Sequence, residues 1–328
     1  DDDDTADDDD DAATIVETDP EQGSNDVYYR DDIVVEFSAP VSNASIALVD
    51  GQGGAVTGSD TMNGDQTILT FDPFQGTDQH LQPSTPYTAT ITWDGGTPTD
   101  LDFQTSAVGA PLNDPEMTLT GGDFRLDLAS ATFTEPPGVG SLLAQYISDV
   151  HMVFHIDGLD DVAGTVEVYS GLLEEDGNDY VQDMCVPTTD FPTGDWSNPY
   201  LEIGPADVEV DMEGYGMPLT GLTIGGSFTV DGLSIAGGTY DAQMDTRALD
   251  PLIDPDADPG ATCDLMATLG ISCEPCADGS GTFCLTISAQ DVAADSVNVL
   301  AFHPVSGNAI PTLVEVTAAD VASWPACN

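Results

Sequence analysis

The chain has 328 residues, with 60 aspartates and glutamates against three arginines (Arg30, Arg125, Arg247), no lysine, and a formal net charge of −57. This balance excludes a nucleic-acid binder, which needs a basic footprint, and a P-loop or Schiff-base enzyme, which needs a lysine. A hydrophobic share of 40% and a mean hydropathy of −0.09 exclude a chain that stays unfolded throughout, and the length suits two domains.

Residues 1–13 hold nine aspartates and no apolar side chain larger than alanine, so they form a disordered acidic tether. The sequence opens on Asp1-Asp2-Asp3-Asp4 without methionine. That opening resembles the tether behind the lipidated cysteine of Gram-negative lipoproteins. The resemblance implies export through a removed signal peptide, and a membrane association limited to an N-terminal lipid anchor.

Residues 14–106 are expected to be a β-sandwich. Ile33, Val35 and Phe37 alternate with Val34, Glu36 and Ser38, the period of a half-buried strand. Further short strands are predicted at Ile46–Val49, Ile68–Phe71, Tyr87–Trp93 and Leu101–Phe103. Glycine turns separate them at Asp50-Gly51-Gln52-Gly53-Gly54 and Asp94-Gly95-Gly96. The phrases Asp19-Pro20-Glu21-Gln22-Gly23, Ile33–Val41, Thr70-Phe71-Asp72-Pro73 and Leu81–Thr90 resemble the bacterial Ig-like domain of surface-layer and adhesin proteins. The resemblance implies a presentation module without catalytic residues.

Residues 107–115 read as a proline- and glycine-containing linker, and residues 116–328 as a β-rich, cysteine-containing domain. Strands are predicted at Phe124–Leu128, Val150–Ile156, Val162–Tyr169, Val208–Met212, Leu222–Val230, Ile235–Met244, Phe283–Ile287 and Val297–Phe302. Asp231-Gly232 supplies a hairpin signal. Short helices are expected at Ser141–Ile147 and at Cys263–Leu269, the latter stopped by Gly270. The fold class is all-β: an Ig-like sandwich, then a disulfide-pinned antiparallel barrel or sandwich with one or two short helices. Gly226–Gly232, Asp245-Thr246-Arg247 and Cys263–Cys284 resemble uncharacterised exported proteins of predatory and marine proteobacteria, which implies a compartment and no activity.

Six cysteines, Cys185, Cys263, Cys273, Cys276, Cys284 and Cys327, suit up to three disulfides in an oxidising compartment. Cys273-Glu274-Pro275-Cys276 has the spacing of a zinc knuckle or redox pair. It lacks a second such pair for zinc, and Asp264, Glu274 and Asp278 disfavour the reactive thiolate. His151 and His155 share one face of a strand and form a weak metal candidate. Asp254, Asp256 and Asp258 alternate ahead of a glycine turn, as a calcium site requires. The run is no EF-hand, since Pro259 and Leu265 occupy its sixth and twelfth positions. A solvated acidic loop is the ordinary reading of this run, so no cofactor is expected, with calcium as the alternative. Arg247, following Asp245, reads as a structural ion pair.

No G-x-S-x-G, H-E-x-x-H or G-x-G-x-x-G motif occurs. The leading reading is a non-enzymatic exported protein of the extracellular or outer-membrane surface, an adhesion, structural or interaction module whose partner is a cell-surface or extracellular protein or polysaccharide. The alternatives are a β-barrel for a small apolar ligand and a secreted hydrolase using carboxylates. A surface this acidic also suits marine or saline water.

Overall fold

The alternation at Ile33–Phe37 is realised as a strand that buries Ile33, Val35 and Phe37 and exposes Glu36. The computed structural model describes residues 13–73, 80–136, 151–176, 179–182, 188–212, 215–253, 259–297 and 299. The chain divides into two units, residues 1–110 and 111–328.

The first unit contains β1 (Ile15–Asp19), β2 (Ile33–Phe37), β3 (Ser45–Asp50), β4 (Ala55–Val56), β5 (Ser59–Met62), β6 (Ile68–Asp72), β7 (Pro86–Thr92) and β8 (Thr99–Gln104). These pair antiparallel into two four-stranded sheets, β1-β2-β6-β5 and β4-β3-β7-β8. Their inner faces enclose one core, in which Val35, Leu69, Ala89 and Ile91 are fully buried and Tyr87 stacks on Phe103. The turn after β3 closes because Asp50 Oδ1 accepts from the N–H groups of Gln52 and Gly54 at 2.9 and 2.7 Å. Such a local Asx bond is why aspartate marks turns.

The second unit begins with α1 (Pro115–Leu119), β9 (Asp123–Asp127), β10 (Thr132–Glu135), β11 (His151–Asp160), β12 (Thr165–Asp176), β13 (Asp179–Gln182), β14 (Thr189–Asp190) and β15 (Gly194–Ser197). It continues with β16 (Tyr200–Met212), β17 (Tyr215–Phe228), β18 (Ser234–Asp245), a 3₁₀ turn (Thr246–Leu249), α2 (Asp250–Ile253), α3 (Ala261–Thr268), β19 (Glu274–Pro275) and β20 (Thr282–Val297). The pairing order β9-β11-β12-β15-β16-β17-β18-β20 returns from β20 to β9, so eight antiparallel strands close a barrel. Closure leaves no free sheet edge around the ring.

Two local features allow the strands to coil. At Gly238 a Cβ would lie 2.5 Å from the Val292 carbonyl oxygen and 2.9 Å from that of Gly225, so only glycine lets these three strands approach. At Asp291 the backbone is left-handed (φ 56°), and β20 passes from β10 to β9 as its partner. The bulge is tied down where the Thr132 hydroxyl donates to Asp291 Oδ2 at 3.1 Å.

The barrel is filled with side chains. Leu126, Ile156, Val168, Ile203, Leu222, Ile224 and Ile287 are buried in its core. At one end Phe228 packs against Phe124 and Trp196, covered by Leu112 and by Leu119 of α1. At the other, Met244 and Leu285 meet Ile271, with Met266 of α3 packed alongside. A void lined by Phe124, Leu126, Ile156, Val168, Ile203 and Ile224 measures about 20 Å³, the space of about one water-sized sphere. Among the described residues the inward side chains are large and fill this part of the core, so the void there is smaller than the small apolar ligand of the alternative reading needs.

Outward positions on the same strands include the polar Glu167, Asp195, Glu202, Asp241 and Thr286, and the outer-face Val153 and Leu173 are covered in a small second cluster with Val299. Among the described residues no helix is long and apolar enough to cross a membrane.

Several sequence expectations shift. Val162 to Gly164 form a turn instead of opening a strand, because Asp160 Oδ1 accepts from the N–H groups of Val162 and Ala163. The strands predicted at Phe283–Ile287 and from Val297 belong to one continuous β20 as far as Val297. The stretch 107–115 is not a uniform spacer. Leu112 is buried in the barrel core and exchanges hydrogen bonds with the Asn198 side chain at 2.8 and 3.1 Å, and Pro115 opens α1. The helix expected at Cys263 spans Ala261–Thr268, followed by Gly270 at φ 84°. The helix expected at Ser141–Ile147 lies outside the described residues.

Candidate functional site

The cysteine-bearing end of the barrel is assembled where β18 runs out. Asp245 caps the turn that follows, accepting from the Arg247 N–H at 3.0 Å and from its Nε at 2.9 Å. Arg247 Nη2 reaches both Asp245 Oδ2 and Ser280 Oγ, the latter at 2.7 Å, and the guanidinium sits 5.1 Å above the Phe283 ring. This hydrogen bonding holds the Asp245 carboxyl below the ordinary aspartate range. Arg247 is the structural ion pair that its neighbour in sequence implies.

Two disulfides pin the same region, Cys263–Cys273 and Cys276–Cys284. Each cysteine of the Cys273/Cys276 pair is therefore bonded elsewhere, which removes the redox and zinc readings. Donor atoms of Asp245, Cys276 and Cys284 lie within 4.8 Å of one another, but both sulfurs are spent in the disulfide and offer no thiolate to a metal. Cys185 and Cys327 lie outside the described residues.

A residue that the sequence reading missed organises this end. Asp250 is buried and accepts from the backbone N–H groups of Gly260 at 2.8 Å and Thr262 at 2.7 Å. Burial pushes its carboxyl up, the two amides hold it down, and the balance lies below the ordinary value. The stretch between these partners contains Asp254, Asp256 and Asp258, the calcium candidates, which lie outside the described residues.

His151 and His155 both sit on the outer face of β11, with Val153 between them. Four residues of strand separate them by about 13 Å, too far for two imidazoles to share one ion. Each has its own neighbour: His155 Nδ1 is 2.8 Å from Asp123 Oδ1, and His151 meets the Tyr180 ring edge-on. Arg125 of β9 lies 5.3 Å from the same Tyr180 ring, so among the described residues the two histidines belong to separate side-chain groups.

In the first unit a cleft of about 610 Å³ opens between β1 and the β7–β8 turn, lined by Ile15, Thr18, Gln22, Trp93, Thr97 and Asp100. Trp93 Nε1 donates across it to the Ala13 carbonyl at 3.2 Å. The adjoining edge of β8 is partly covered, since Gln22 Oε1 accepts from the Asp102 N–H and Gly23 N–H donates to the Asp102 carbonyl.

Together these features define a modular extracellular-type β protein, a sandwich followed by a closed barrel. Residues 9–105 match the family model of the bacterial Ig-like domain, in agreement with the motifs at Asp19–Gly23 and Leu81–Thr90. No curated protein sequence matches the chain.

Among solved structures, CopC from Methylosinus trichosporium OB3b is 16% identical at a TM-score of 0.23, over 29% of this chain and 93% of its own. The uncharacterized protein lmo2446 from Listeria monocytogenes EGD-e, solved with glucose, magnesium and calcium, is 14% identical at a TM-score of 0.17. The cycloalternan-forming enzyme from Listeria monocytogenes, solved with a pentasaccharide substrate, is 13% identical at 0.17. Each covers 70% of this chain, which spans only 21% of either Listeria protein. Likenesses this distant carry no functional argument.

Proposed function

We propose that the chain is a non-enzymatic protein of the cell surface, in which an acidic lipid-anchored tether and the Ig-like unit present the barrel to an extracellular protein or polysaccharide. The packed barrel supports this reading: among the described residues the void lined by Phe124, Leu126, Ile156 and Ile224 is only about 20 Å³, which favours the outer surface over the interior as the place of interaction. The disulfides Cys263–Cys273 and Cys276–Cys284 support an oxidising compartment, where small and exposed domains are pinned this way.

The test is to shave intact source cells with a protease that cuts at acidic residues and to alkylate thiols before reduction. Peptides of this chain in the shaved fraction, with Cys263, Cys273, Cys276 and Cys284 unalkylated, are expected. Recovery only from the cytosol, with reduced thiols, would overturn the proposal.

A further inference from the structure

One end of the barrel sets apolar side chains out in water on turns that are themselves firmly held. Met117 on α1 is 78% exposed, Val162 in the β11–β12 turn 96%, and Val230 and Leu233 between β17 and β18 57% and 58%. The three segments are neighbours. Glu116 Oε1 accepts from the Asp161 N–H at 3.1 Å, joining α1 to the first turn. A Cβ at Gly232 would lie 2.6 Å from Thr118 Cγ2, which places the second turn against the same helix.

Neither turn is loose. Asp160 Oδ1 receives the N–H groups of Val162 and Ala163, Asp161 Oδ1 receives Trp196 Nε1–H at 2.7 Å, and Asp231 Oδ1 receives the Leu233 N–H and the Thr229 hydroxyl. The apolar tips are thus preorganised, and the groups that fix them are carboxylates. Glu116, Asp160, Asp161 and Asp231 surround the tips with one sign of charge. Hydrogen bonds from Thr229 and Leu233 hold the Asp231 carboxyl below its ordinary range, so it stays ionised at neutral pH.

We propose that this end of the barrel docks a cationic segment of a partner protein. Apolar side chains of that segment cover Met117, Val162, Val230 and Leu233, and its arginines or lysines meet the ring of carboxylates. The proposal rests on the reading of the chain as an outward-facing interaction module and names the partner's chemistry. Charge complementarity selects this occupant. A second copy would bring the same ring of carboxylates against its own kind, an anionic membrane would be repelled, and a neutral polysaccharide supplies no cations. Exposed apolar groups inside a polar rim are the usual anatomy of a protein-binding patch.

The probe is a synthetic amphipathic peptide of leucine and arginine, titrated onto the full chain at physiological salt. A peptide with serine for leucine reports attraction by charge alone. The variant Met117→Ser/Val162→Ser/Leu233→Ser removes exposed side chains only, and its melting temperature should match the native one. Leu265→Ser/Leu269→Ser removes exposed apolar groups from α3 and from the residue that ends it, and serves as the control.

The triple variant is expected to lose about tenfold or more in affinity for the leucine–arginine peptide, while the control keeps native affinity and the serine–arginine peptide does not distinguish the three proteins. Equal binding of the leucine–arginine peptide by native and triple-variant chains would overturn the proposal, leaving attraction by net charge alone. Patch-dependent binding to phosphatidylcholine vesicles, or patch-dependent self-association in sedimentation, would also overturn it in favour of a lipid or a second copy. Surface exposure in the shaving experiment is independent of all these outcomes, so failure of the docking proposal is separable from failure of the surface reading.

Discussion

Replacing Asp250 with alanine tests how the cysteine-bearing end of the barrel is held. Asp250 is 4% exposed, and its carboxylate receives two backbone amides, Gly260 at 2.8 Å and Thr262 at 2.7 Å. Alanine leaves both amides without their acceptor, at about 1–3 kcal/mol each, so the native state should lose about 2–6 kcal/mol. Asparagine keeps one acceptor oxygen and should lose less than alanine. The folded pKa of Asp250 is depressed, so its contribution is full above the unfolded value near 3.8 and disappears as pH falls through the folded value. The gap between native and Asp250→Ala should therefore be constant near neutrality and close in strong acid. Guanidinium unfolding from pH 7 down to pH 2, with exchange of the Thr262 amide as a local probe, measures both. A variant within about 0.5 kcal/mol of native at pH 7 would refute the role of the two amides.

Reduction of the disulfides should destabilise the second unit by about 2.5 kcal/mol for each short loop, with sequence separations of 10 and 8, and leave the cysteine-free first unit unchanged; domain-resolved melting with and without reductant decides it. Residues 14–106 should fold alone, because both sheets and their core lie within them, and a disordered circular-dichroism spectrum of that fragment would place the boundary elsewhere. Melting temperature should rise with NaCl towards molar concentrations as repulsion among some 57 excess charges is screened; no response would contradict the electrostatic reasoning. If Asp254, Asp256 and Asp258 hold calcium, CaCl₂ at matched ionic strength adds a saturable rise that Asp256→Asn loses, and an equal rise in both proteins removes this site.

The sandwich was legible because its signals are local. Period-2 alternation at Ile33–Phe37 and glycine turns after Asp50 and Asp94 each depend on a handful of adjacent residues. Closure of the barrel was not legible, because it depends on β20 pairing with β9 some 170 residues earlier in sequence, through Asp295 opposite Arg125 and Val297 opposite Asp123. The histidines show the limit of a face argument: sharing a side of a strand fixes direction and says nothing of reach. Asp250 was hidden for a related reason. Its partners are two backbone amides beyond the acidic stretch 254–258, and amides leave no mark in a sequence. Val162 read as the start of a strand because its apolar character resembles burial, whereas the Asx bond from Asp160 turns the chain and leaves it in water.

With three arginines for 60 acids, ion pairing cannot be how this chain accommodates its carboxylates. The described residues show another route, in which neutral donors replace cations. On the outer face of the first unit Thr88 and Thr90 hydroxyls donate to Asp102 and Asp100 on the adjacent strand, at 2.7 and 2.8 Å. Asp94 receives Ser42 and Asn43 across the sandwich end, and on the barrel Asp241 receives Ser288 while Asp295 receives Ser234. Turn carboxylates such as Asp50, Asp160 and Asp278 receive backbone amides. These donors are short, so the preference for aspartate over glutamate follows: one methylene fewer keeps the carboxylate within reach of its own turn or its strand neighbour. The arrangement has a direction in pH. Asp231, Asp250 and Asp278 have carboxyls below the ordinary value, held there by hydrogen bonds from hydroxyls and backbone amides that the protonated acid would weaken. The stabilisation they provide is therefore present above the unfolded aspartate value and lost as acid protonates the folded state. Repulsion among the remaining carboxylates declines over that same interval, so acid relieves the surface as it dismantles the turns.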